Sequence, residues 1–182
     1  MEFPLDLLVD HLNPAGFEHL KFLNFTAMGI DFEKYTMKGN EFLNILAKKL
    51  GDEPNRDRAA RILRSVFAML RNHISVEESI QLLAQLPVAI KGIYVDGWTL
   101  SHSRERIRTF DGIVNEVAQK EGSVIWRDFS NREEIINSIR AVVETMAHYV
   151  SKEELMEAFG GFPKGLKESF QEWVETHSVV HD

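Results

Sequence analysis

Two segments of the chain repeat each other, and a repeat constrains the fold more tightly than any single motif. The first runs over residues 42–98 and the second over residues 110–174. Leu63 matches Ile139, Arg64 matches Arg140, Val66 matches Val142, Phe67 matches Val143 and Leu70 matches Met146, each pair 76 residues apart. Ser75 falls on Ser151, Glu77-Glu78 on Glu153-Glu154, and Pro87 on Pro163 in the same register. The opening stretches align as Phe42 on Phe110, an offset of 68, and eight extra residues around GSVIWRDFSN (122–131) account for the change.

Each copy reads as four helices. Phe42, Ile45, Leu46 and Leu50 have helical spacing in a first helix near residues 37–50. A second, near 57–72, puts Ala59, Ile62, Leu63, Val66, Phe67 and Leu70 on one stripe, the pattern of a helix docked on a core. Ser75 with Glu78 and Ser151 with Glu154 have capping-box spacing at the third helix of each copy. Ser130 with Glu133 has the same spacing before the second copy's long helix. Pro87 and Pro163 lack an N–H and disfavour helix in the preceding residue, so they separate the third helix from a fourth near 88–96 and 164–175. VAIKGIYV (88–95) alone would pass for a strand, but its counterpart KGLKESFQ is plainly helical.

The reading is therefore an all-α chain: two tandem, pseudo-symmetric four-helix units packed together, with an N-terminal helical extension. The boundaries are 1–36 for the extension, 37–98 for unit one, 99–109 for a polar connector and 110–176 for unit two. Units of about 60 residues are individually marginal, so each is expected to lean on the other.

Composition limits the function. The net charge is −7, and residues 110–182 carry 7 basic against 14 acidic side chains, which argues against nucleic acid and anionic membranes as partners. There is no cysteine, which removes thiol chemistry and fits a cytoplasmic protein. No apolar run is long enough to span a bilayer, and the leading MEFPLDLLVD lacks the basic start of a signal peptide.

The run from FEKYTMKGNEFLNILAKKLG through RAARILRSVFAMLR, EESIQLLAQLPVAIKGIYVDGW and RIRTFDGIV resembles the bacterial domain-of-unknown-function family 2267. The likeness covers residues 32–175, with AQLP and KGIYVDGW its most specific parts, and leaves residues 1–27 outside. The resemblance implies a small all-helical bacterial protein. It supplies no catalytic residues.

Few residues of the chain point to chemistry. HExxH, P-loop, GxGxxG and GxSxG patterns are all absent, so no catalytic residue, metal ligand or cofactor is assigned. His177 and His181 alone have ligand-like spacing, at the chain's end. His73 aligns with Tyr149 and reads as a structural ring near a helix end. The glutamate pairs fall in first turns, where the helix dipole favours negative charge. Arg64 and Arg140 form a matched pair with two readings: an anion site in each half, or a stem covering apolar surface while the guanidinium bonds a helix end or a glutamate. The second reading is preferred. The stretch most like a binding surface holds Tyr94, Trp98, His102, Arg104, Arg106 and Arg108, since aromatic and arginine side chains dominate interaction hot spots. Its plainer reading has Tyr94 and Trp98 closing the first unit's core.

The expectation is thus a non-enzymatic helical interaction or scaffold module with a protein partner or a second copy. The alternative is a small-molecule binder or enzyme with a pocket between the units, which requires buried polar groups converging there.

Overall fold

The computed structural model describes residues 30–53, 55–99, 109–120 and 128–178. The chain divides into residues 1–34 and a compact unit of residues 35–182, and the architecture below is that of the second. Among the described residues there are eight α-helices and no strand. They are α1 (Phe32–Lys49), α2 (Arg56–His73), α3 (Val76–Gln85), α4 (Val88–Val95), α5 (Phe110–Lys120), α6 (Arg132–Met146), α7 (Lys152–Ala158) and α8 (Lys164–Ser178), with one 3-10 turn at Phe159–Gly161. None is long and apolar enough to cross a membrane.

The start and stop signals act as local chemistry dictates, with three departures. Helix α1 begins at Phe32 rather than near residue 37, because the Asp31 carboxylate accepts from the Lys34 N–H at 3.0 Å and caps it earlier. Ser75 and Glu78 close a complete capping box. Before α6 the cap is Asn131, not Ser130: the Asn131 side chain accepts from Glu134 N–H at 2.9 Å, and Glu134 in turn accepts from Ser130 N–H at 2.6 Å. At α7 only half of the expected box forms. Ser151 Oγ accepts from Glu154 N–H at 3.3 Å, but the Ser151 N–H donates to Gln85 of α3, and one Glu154 carboxylate oxygen is left buried without a partner.

Helix α1 closes with a Schellman turn. Asp52 N–H reaches Ala47 O at 3.1 Å and Gly51 N–H reaches Lys48 O at 3.0 Å, while Gly51 takes the positive φ (68°) that such a turn needs.

The core is continuous across both halves of the repeat. Leu63 and Ile139, Val66 and Val142, Phe67 and Val143, and Leu70 and Met146 are all buried in it. The first helix of each segment makes contacts in the other segment. Helix α5 makes its most extensive contact with α2. Helix α1 brings Phe42 to 5.3 Å from the Tyr149 ring and Lys49 to Glu144 of α6. Where α1 passes α4, a Cβ on Gly39 would stand 2.7 Å from that of Ala89, so a glycine is needed for the approach.

Candidate site: a charged cleft between the two halves

An open cleft of about 460 Å³ lies where the end of α1 and the start of α2 face α6. Lys49, Leu50, Gly51 and Arg58 line it from the first segment, and Glu134, Asn137, Ser138, Arg140, Ala141 and Glu144 from the second. The Schellman turn sets the first wall. The second wall is one face of α6, since residues 137, 141 and 144 recur at helical spacing.

Its charges are organised by two arginine clusters and a lysine. Arg58 donates through Nε and Nη2 to the Asp128 carbonyl at 3.1 and 2.7 Å, and through Nη2 to Glu134 at 2.6 Å. Arg61, one turn on, forks onto the fully buried Asp128 carboxylate with two bonds of 2.6 Å. Such a bidentate pair is directional and fixes the chain that carries Asp128 against α2. Glu144 receives Lys49 Nζ at 2.8 Å and Arg140 Nε at 2.6 Å. Burial pushes the Glu144 carboxyl up, but hydrogen bonds and charge from Lys49 and Arg140 outweigh it and hold the group below its ordinary 4.5.

Within the cleft wall, Ser138 is the anomaly. It is 1% exposed, and its hydroxyl has no hydrogen-bond partner. A helical hydroxyl ordinarily turns back onto the carbonyl one turn earlier, as Thr145 does onto Ala141 O at 2.7 Å in the same helix. An unpaired buried hydroxyl costs about 1–3 kcal/mol.

The structure distributes the residues singled out in the sequence as follows. Arg140 stands in the cleft wall, paired with Glu144. Arg64 is exposed and makes no hydrogen bond or ion pair among the described residues, because Ala68 occupies the place that Glu144 holds in the second segment. The guanidinium that does bond a helix end is that of Arg71, which donates to Tyr94 O and, at 2.9 Å, to Asp96 O beyond α4. Tyr94 is fully buried, its hydroxyl bonded to Ser79 at 3.0 Å and its ring against Phe67 and Trp98. Trp98 packs on the same core with its indole N–H buried and unbonded. His102, Arg104, Arg106 and Arg108 lie outside the described residues, as do the His177 side chain and His181. His73 shares a hydrogen bond with Glu116 of α5 at 2.7 Å, and Asn72 donates to the same carboxylate. Its counterpart Tyr149 has a phenol raised above the ordinary 10.0 by burial, with the charge of Glu41 adding to the effect. Among the described residues no group of three metal-ligating side chains occurs.

The family model described as an uncharacterized conserved protein, DUF2267, matches residues 39–169. The chain belongs to that family. The DUF2267 match takes in every residue that lines the cleft, from Lys49 to Glu144. No curated protein matches the chain.

Lys49, Arg58, Asn137, Ser138 and Glu144 were not legible as site residues, for none belongs to a motif. The only available sign was asymmetry within the repeat, where Ala68 gives way to Glu144 and Ile62 to Ser138 beside a retained arginine.

Proposed function

We propose that this chain is a non-enzymatic, cytoplasmic binding module whose ligand site is the cleft between the two repeated segments. One observation carries the reading: Ser138, buried with an unbonded hydroxyl, in a wall where charged side chains from both segments converge. Folding alone gives no return for burying such a group, whereas a ligand that bonds it recovers the cost. Clefts between helices of a bundle are common places for small-molecule sites. The test is to purify tagged wild-type protein and an Asn137→Trp variant from native cells and to identify bound small molecules by mass spectrometry. Asn137 is exposed in the cleft wall, so the indole fills the cleft without entering the core. Metabolites retained by the wild type and lost from the variant support the reading; identical profiles refute it.

A second reading, a scaffold that binds a protein or its own copy, draws on exposed Val76 and Ile80 of α3 and Val88 and Val95 of α4. Light scattering that finds a strict monomer at high concentration removes self-association.

A further inference from the structure

We infer that the cleft selects a small organic monocarboxylate, a conclusion that rests on the cleft being the ligand site. The charges that touch its interior set the valence of the ligand. Arg58 is consumed by Asp128 and Glu134. Lys49 and Arg140 share the single carboxylate of Glu144, which leaves one net positive charge among the three. One negative charge is matched there; the second charge of a dianion finds no counter-ion left among these groups.

Donor geometry sets the shape of the ligand. Arg140 commits only Nε to Glu144, so its two Nη groups keep their N–H bonds free in the cleft wall. A carboxylate can accept from a guanidinium edge through two parallel bonds. Lys49 commits one of its N–H bonds to Glu144 and keeps two. Leu50 and Ala141 add apolar surface beside these donors, which suits a short hydrocarbon body. The Ser138 hydroxyl, which turns about one bond, can bond the second carboxylate oxygen or a polar substituent.

The experiment is a titration of the full-length, isotope-labelled protein followed by amide resonances. The probes are sodium butanoate, butanamide and inorganic phosphate at matched ionic strength. Butanoate should shift resonances of Lys49–Gly51 and Asn137–Glu144 saturably, with butanamide and phosphate at least about tenfold weaker, as expected for a charge-assisted bidentate contact. Arg140→Gln should weaken butanoate by a similar factor, and Arg64→Gln, the matched arginine outside the cleft, should not. Ser138→Ala, which removes no bond of the fold, should weaken butanoate too. Equal shifts with butanamide, tighter binding of phosphate, or unchanged affinity in Arg140→Gln would overturn the ligand class while leaving the cleft a site. No shift at cleft residues with any probe overturns both.

Discussion

Asp128 shows how a single side chain can organise two distant stretches of chain. Its carboxylate, fully buried, holds Arg61 through two short bonds, and its carbonyl holds Arg58. Asp128→Ala leaves the Arg61 guanidinium without that carboxylate in a site only a quarter exposed. The expected loss is about 2–3 kcal/mol, below the 3–5 of a wholly buried pair, and is measured by urea unfolding. Glu144 gives a pH dependence. Its folded pKa lies below 4.5, so its contribution is complete above that value and lost as pH falls through the folded one. Glu144→Gln should flatten that part of the acid limb of a stability–pH curve while leaving the slope above pH 6 unchanged. A variant as acid-sensitive in that window as the wild type would show that the Lys49 and Arg140 bonds contribute nothing.

At the scale of the element, the pattern of apolar residues and caps was legible, because those signals are local. Ser75, Glu78 and Pro87 act within four residues of where they stand, and α3 and α4 begin where they indicate. Other features escape the sequence where a distant partner competes. Gln85 takes the Ser151 N–H that Glu154 was expected to bond, and the two are 66 residues apart. Arg58 and Arg61 gave no sign of their partner Asp128, which lies near the eight-residue insertion of the second copy. A bond of that separation leaves no periodicity to read. Gly39 belongs to the same class: within a helix it reads as a weak position, yet it sets the approach of α1 to α4. Gly39→Ala gains up to about 1 kcal/mol of helix propensity but meets the Ala89 methyl at 2.7 Å. Overpacking of about 1–3 kcal/mol should win, with a lowered Tm and no loss of helicity at 20 °C.

For the molecule as a whole, the contacts that cross between the two segments mean that neither half of the repeat is complete by itself. Helix α5 covers α2, and α1 supplies Phe42 to Tyr149 and Lys49 to Glu144. Separately expressed residues 35–99 and 109–178 should each be largely unfolded by circular dichroism, since a fragment of that size loses the surface that buries its long helix. Mixing the two should restore helicity. A half that is stably folded alone would show that the crossed packing is incidental.

The ion pair of Arg58 with Glu134 joins residues 76 apart, the same spacing that relates the two sequence segments. If a two-fold rotation related the segments, residues at matching places that touch each other would lie on its axis. Were the halves separate identical molecules, that point would bring a side chain against its own duplicate, so an arginine would confront an arginine. Linking both copies in one polypeptide lifts that restriction, and the junction can hold opposite ions. The same freedom lets one face of the assembly acquire a recess that the other need not possess.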